Sequence, residues 1–305
     1  MGAMPSRNVV DRAYRRAYQR AMALWPAPRQ EVELATPFGA TRGHLHLPAE
    51  PSGAPFVLLN GKNGHASQWH PLVPALAASG RPVLALDTPG DPGLSRPEPD
   101  RPLRAPEDFA AWLDAAVAAA LPDAARVHLV GRSYGGWISL AAAMHAPKRL
   151  ASVALLDPAG LAAVPPRFFA WMLACGAAAV LPRAVRAPLA RPLRNPTTAQ
   201  GRPLAACRAG VLAHAARPGL PVPRPYRDEE LREAAASGVP ALFVLGGHSP
   251  LNDPRRVLPR IGMLMPDAAA TVVPRAGHVV DLVDPARAAA LLGAFAQHAE
   301  RQRAC

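Results

Sequence analysis

Hydrophobic and polar positions change rhythm along this chain. Over residues 8–25, Val9, Tyr14, Ala17, Ala21 and Leu24 recur at helical spacing, with Arg12, Arg15, Arg16 and Arg20 largely between them. That pattern predicts an amphipathic helix that Pro26 ends. Residues 31–35 and 43–47 alternate apolar with polar around Thr36-Pro37-Phe38-Gly39, which predicts a β-hairpin. Short apolar runs then follow at 56–59, 83–86, 127–130, 153–156, 242–245 and 271–273. Such runs suit strands buried on both faces of a parallel sheet. Helical stretches fill the gaps at 69–78, 106–120, 135–145, 254–265 and 285–302. Alternating β and α elements predict an α/β fold, an open, mostly parallel sheet with helices on both faces.

Residues 157–238 break the alternation. They are rich in proline and arginine, with helical pieces at 168–181 and 204–215 and no clear strand. Eighty residues cannot form one bare loop. We expect a single domain spanning 1–305, with an N-terminal helix at 7–25 and a helical lid inserted at about 158–238 over the C-terminal edge of the sheet. Phe168, Phe169, Trp171, Met172 and Leu173 make one lid helix apolar all round. Such a helix is expected to be buried or to cover an apolar cavity, here a pocket for an acyl or polyketide-like substrate.

Composition narrows the function classes. Half of the 305 residues are hydrophobic and 18% are charged, which excludes a disordered body. The formal net charge of +12 points, taken alone, to an acidic partner. Lysine, however, occurs only at Lys62 and Lys148, and the arginines are spread along the chain with one loose cluster from 183 to 194. With 37 prolines the composition is biased as a whole, so no nucleic-acid partner is expected. Arg183, Arg186, Arg191 and Arg194 can serve a carboxylate or phosphate; solvated side chains are the expectation. Cys175, Cys207 and Cys305 have neither disulfide-framework nor metal-ligand spacing, so no metal or other cofactor is called for. The N-terminus lacks an apolar signal core, and the apolar stretch 168–181 is too short to span a bilayer, so no membrane span and a cytoplasmic location are expected.

The chemistry concentrates at Gly131-Arg132-Ser133-Tyr134-Gly135, a Gly-x-Ser-x-Gly between a buried strand and an alanine-rich helix. In that context the serine sits on a sharp turn, exposed as a nucleophile at a helix N-terminus. Its backbone neighbour Tyr134 offers an N–H to an oxyanion. A second N–H is expected from the glycine-bearing loop 59–64, at Lys62, whose side chain is read as solvated. Serine needs a base, and His278, after the last strand in Ala276-Gly277-His278, stands where a Ser…acid…His order places it. His248 is the rival, and His65 and His70 are candidates to line the pocket.

Taken together, the chain resembles the α/β-hydrolase superfamily, and within it bacterial carboxylesterase-like members. The resemblance rests on Leu24-Trp25-Pro26, the strand and loop 57–61, the segment 85–95, the serine motif, Leu155-Leu156-Asp157-Pro158-Ala159, Pro225-Tyr226 with Asp228 and Leu231, and Ala276-Gly277-His278. It implies an eight-stranded sheet, a helical lid, and hydrolysis of a small, apolar carboxylic ester through an acyl-enzyme, with lactones or thioesters as related substrates. Two positions depart from it. Asn60-Gly61 replaces the usual His-Gly, a mild change. Ser249, in Gly246-Gly247-His248-Ser249, stands where the family carries its acid. Asp157, at the end of another strand, ranks first as a replacement, ahead of Asp253, which reads as a helix cap, and of no acid at all. Asp281 is expected to face away, and Asp87 to be structural. The altered acid leaves open non-hydrolytic chemistry on the same fold, namely acyl transfer, cyclisation or a lyase reaction, or a catalytically dead small-molecule binder.

Overall fold

Runs of Phe, Val, Leu and Ala build the centre of the molecule. The computed structural model describes residues 7–304 apart from 216 and 218, so Cys305 lies outside the described residues. Among the described residues nine strands form one sheet: β1 (Gln30–Thr36), β2 (Gly39–His46), β3 (Phe56–Leu59), β4 (Val83–Leu86), β5 (Arg96–Pro97), β6 (Val127–Arg132), β7 (Leu150–Leu156), β8 (Ala241–Gly246) and β9 (Ala269–Val273). Their order is β1-β2-β4-β3-β6-β7-β8-β9, with the two-residue β5 on β2. The six strands from β4 to β9 along that path are parallel, whereas β1, β2 and β4 pair antiparallel. The result is the expected α/β-hydrolase architecture, with β5 as an addition.

Strands β3, β4, β6, β7 and β8 are buried at every position. Alternation is present but hidden, because both faces are apolar. Val57 and Leu59 enter the core on one side, while Phe56 and Leu58 enter the core on the other. The described helices are α1 (Arg7–Met22), α2 (Val73–Ala77), α3 (Pro106–Ala120), α4 (Tyr134–His145), α5 (Pro166–Ala179), α6 (Arg183–Arg186), α7 (Arg202–His214), α8 (Asp228–Ala236), α9 (Pro254–Leu264) and α10 (Pro285–Ala304).

Several boundaries differ from the sequence reading, for physical reasons. The helix expected at 69–78 is split into a 3₁₀ turn, Ala66–Trp69, and α2. Pro71 and Pro74 lack the N–H groups that a continuous helix needs. Helix α1 ends at Met22, and the chain turns so that Trp25 is buried. Helix α8 begins with Asp228, Glu229 and Glu230, carboxylates in the first turn that oppose the positive end of the helix dipole. The insertion between β7 and α8 contributes α5, α6 and α7, and no strand among its described residues. Helix α1 packs on α7 and reaches the body through Tyr18, whose hydroxyl donates to Asp87 Oδ2 at 2.7 Å.

Candidate active site

The sharp turn at Ser133 follows from two close approaches. A Cβ on Gly131 would lie 2.3 Å from the Gly135 carbonyl oxygen, and one on Gly135 would lie 2.3 Å from that of Leu59. Only glycine lets β6, β3 and α4 cross so tightly. Ser133 is left at φ 52°, ψ −111°, a conformation that costs a non-glycine residue energy. Hydrogen bonds fix it there, from Ser133 N to Leu156 O at 3.0 Å and from Ala159 N to Ser133 O at 2.9 Å.

At the end of the neighbouring strand β7, Asp157 also adopts positive φ, at 43°. Its carboxylate is fully buried and meets three donors. His278 Nδ1 lies 2.6 Å from Oδ2, and Ser249 donates its hydroxyl to the same oxygen at 2.5 Å. The Gly246 N–H approaches Oδ1 at 3.3 Å. Ser249 Oγ in turn accepts from Leu251 N at 3.0 Å and Asn252 N at 3.1 Å. With its acceptor sites so used, its one proton is directed at Asp157. Nδ1 of His278 therefore carries a proton toward the carboxylate, which leaves Nε2 as the basic nitrogen of the neutral ring.

Of the other carboxylates, Asp253 caps α9, accepting from Arg255 N at 3.1 Å. Asp281 turns away from His278 onto Arg132, whose Nε donates to it at 2.9 Å and whose Nη2 makes a second bond. The Arg132 guanidinium also stacks over Trp69 at 4.3 Å. This buried pair joins the residue before Ser133 to the turn after His278. Nothing local in the sequence marks this pair, although an arginine in a buried motif needs a partner. Asp87 is structural, holding Tyr18 Oη, Ala66 N and Leu94 N.

The loop after β3 packs on Ser133 through Gly61, where a Cβ would lie 3.2 Å from Ser133 Cβ. Asn63, at φ 64°, donates its N–H to Asp91 Oδ2 at 2.8 Å, fixing the loop beside Lys62. Three side-chain expectations change. Lys62 is not merely solvated: its Nζ donates to Leu220 O at 2.8 Å, tying this loop to the insertion. Arg186 is buried and donates to the carbonyls of Thr198 and Gln200, so it holds the insertion together. His65 is fully buried against Tyr14 and Tyr18, and burial lowers its pKa to about 3, so it lines no pocket and stays neutral. His248 is exposed on the surface, and His70 bonds the Ser67 carbonyl.

The insertion covers the histidine directly. Phe168 and Trp171 present their rings edge-on to His278 at 5.1 and 5.7 Å between centroids. Trp171 is anchored by its Nε1–H on Leu193 O at 2.8 Å. At the far end of the insertion, Tyr226 stacks on Trp137 and donates its hydroxyl to the Trp137 carbonyl at 2.8 Å. A cavity of about 440 Å³ lined by Gly53, Asp123, Arg126 and Arg303 lies at the opposite edge of the sheet, remote from Ser133.

Ser133 thus stands on the sharp turn between β6 and α4, and His278 rests on the buried Asp157 carboxylate. The model of the alpha/beta hydrolase family matches residues 56–291. The chain belongs to that family. It is 29% identical over 281 residues to an uncharacterized carboxylesterase of Bacillus subtilis, covering 89% of this chain and 88% of that one. It is 28% identical over 279 residues to carboxylesterase YbfK of the same organism, again covering 88% of each. The crystal structure of naproxen esterase from Bacillus subtilis superimposes with a TM-score of 0.78 at 25% identity, over 96% of this chain and 99% of that one. This α/β hydrolase is thus carboxylesterase-like along nearly its whole length. None of its described helices is long and apolar enough to cross a membrane.

Proposed function

We propose that this α/β hydrolase is a serine esterase acting on small carboxylic esters with an apolar acyl group, with Asp157 in place of the acid that the family carries after β8. The contact of His278 Nδ1 with Asp157 Oδ2 at 2.6 Å carries this reading. Ser133 Oγ attacks the ester carbonyl while its proton passes to His278 Nε2. The imidazolium so formed is stabilised by the buried Asp157 carboxylate. The oxyanion is received by the backbone N–H groups of Tyr134 and Lys62, at the N-terminus of α4 and on the loop that Gly61 brings against Ser133. Collapse expels the alcohol, which takes the proton from His278. Water, deprotonated by the same nitrogen, then releases the acid and restores Ser133. Phe168 and Trp171 line the acyl side of this site and exclude water from it.

A fluorophosphonate probe tests the nucleophile. We expect stoichiometric labelling that maps to Ser133, disappears in Ser133→Ala, and runs parallel to hydrolysis of short p-nitrophenyl esters. Lactones and thioesters belong in the same panel, because their carbonyls meet the same groups. A folded protein whose Ser133 is never labelled would refute the serine-esterase reading. Labelling without turnover of any ester would refute hydrolysis and favour acyl transfer.

A further inference from the structure

Charge and apolar surface are both segregated on the insertion. Residues 158–227 contain ten arginines and no aspartate or glutamate, so the rest of the chain has 24 basic against 22 acidic residues. Ten of the twelve net positive charges therefore sit on less than a quarter of the chain. The arginines are spread; it is the carboxylates that are missing. Some of these arginines have protein partners, such as Arg217 with Asp11 and Arg224 with Glu230. Arg183, Arg191, Arg202 and Arg208 stand exposed on α6, after it, and on α7. Helix α1, packed on α7, adds the exposed Arg15, Arg16 and Arg20.

Beside this basic surface, α5 has two apolar faces. Phe168, Trp171, Ala178 and Ala179 face inward, the first two against His278. Phe169, Met172, Leu173 and Val180 follow one another at helical spacing on the outside, where Phe169 is 56% and Leu173 76% exposed. Val185 on α6 and Leu212 on α7 extend the apolar exposure. The 3₁₀ turn Pro196–Ala199 touches α5, α6 and α7, so stripe and arginines belong to one packed unit. An exposed outer stripe of this size is not foreseen by the expectation that an all-apolar helix is buried or covers an apolar cavity.

The charge selects the occupant. A second copy packed face to face would set the exposed arginines against their own kind. A nucleic acid would use the arginines but not the aliphatic stripe. An anionic bilayer uses both, with acyl chains for the stripe and headgroup phosphates for the arginines flanking it. We propose that the insertion docks the protein on an anionic phospholipid surface, with the outer stripe of α5 in the interface. Docking does not depend on the esterase reading. Joined to it, docking would deliver apolar esters from the bilayer to the helix that covers His278.

Co-sedimentation of the full chain with vesicles tests this. Binding is expected to phosphatidylglycerol–phosphatidylcholine vesicles at low ionic strength, to weaken as salt shortens the screening length, and to be absent with phosphatidylcholine alone. Leu173→Asp and Phe169→Asp should each weaken binding by about tenfold or more, since a charge replaces buried apolar area in the interface. Neither should alter hydrolysis of a soluble short ester. Replacing Arg183, Arg191, Arg202 and Arg208 by Gln should weaken binding similarly. The proposal is overturned if anionic vesicles are not bound. It is also overturned if both aspartate variants bind as well as the parent, which would mean charge alone, as for any polyanion such as duplex DNA. A parent dimer that Leu173→Asp dissociates would assign the stripe to self-association instead. Vesicle binding without turnover of any soluble ester would count against the esterase reading and leave docking standing.

Discussion

The position of the acid can be tested by moving it. Asp157 Oδ2 accepts from His278 Nδ1 at 2.6 Å and from Ser249 Oγ at 2.5 Å, and the carboxylate is fully buried. Asp157→Asn removes the charge while keeping a residue that tolerates the φ of 43° at this position. The amide group presents either a donor to Nδ1, which forces the wrong tautomer, or an uncharged acceptor that does not stabilise the imidazolium. Disabling the acid of such a triad costs on the order of 10⁴ in kcat, about 5.5 kcal/mol of transition-state stabilisation. The second step restores the charge from the other side. In Asp157→Asn/Ser249→Asp the new carboxylate starts from a position whose side chain already touches Oδ2. The Leu251 and Asn252 N–H groups, which now bond Ser249 Oγ, are placed to receive it. We expect the double variant to recover at least about a hundredfold over Asp157→Asn, a gain of about 2.7 kcal/mol. Ser249→Asp alone places two carboxylates within hydrogen-bond distance, where they share a proton rather than both ionise. Ser249→Ala keeps the charge and loses one hydrogen bond to it, about 1.5–3 kcal/mol of stability, with activity reduced far less than by Asp157→Asn. The assay is kcat/KM on a short p-nitrophenyl ester, with circular dichroism melts to establish folding. An Asp157→Asn protein near parent activity, or a folded double variant no better than the single one, would refute the assignment.

Other outcomes follow from buried groups near the site. Asp281→Asn leaves the Arg132 guanidinium, 5% exposed, without its charge partner, and urea denaturation should show a loss of about 3–5 kcal/mol; a loss below about 1 kcal/mol would mean that the pair contributes little. Burial pushes the Asp91 carboxyl up from 3.8 to about 7, against the pull of the Asn63 N–H and of Lys62. An unfolded aspartate loses its proton near 4 while the folded one holds it to about 7, so stability should be greatest below that window. It should fall as pH rises through it, by at most about 1.4 kcal/mol per pH unit. Asp91→Asn should flatten this dependence between about pH 4 and 7, and an unchanged slope would refute the cause. Tyr226→Phe removes the donor to the Trp137 carbonyl and should cost about 1–3 kcal/mol in thermal or urea melts, with little change in KM if the insertion stays seated.

The sheet was legible because its strands are buried on both faces and closed by glycine or proline, so the runs at 56–59 and 83–86 have the same limits in sequence and structure. The turn that carries Ser133 was legible because strand, glycines and helix are contiguous in the chain. What the sequence hides is contact between distant strand ends. Arg132 and Asp281 are 149 residues apart, and nothing local marks either as the partner of the other. The outward stripe of α5 was hidden for a different reason. An all-apolar helix has no polar face to show which side meets solvent, so sequence logic assigns burial to both.

Topology explains how an acid can be absent from its expected position in a site that still holds a carboxylate on its histidine. Strands β7 and β8 are parallel neighbours with Leu156 opposite Val244, and the Asp157 N–H donates to the Val244 carbonyl at 2.8 Å. Both strands end at the same edge of the sheet, so residue 157 meets His278 and residue 249 meets the same carboxylate oxygen. A carboxylate can then move from one to the other without moving the histidine, provided that the vacated position supplies a donor rather than a second charge. Serine meets that condition: its hydroxyl donates to the carboxylate and accepts from the two N–H groups of the turn. On this argument Ser249 is the complement of Asp157 rather than a lost acid. The two positions should therefore tolerate exchange as a pair and resist replacement of Asp157 alone.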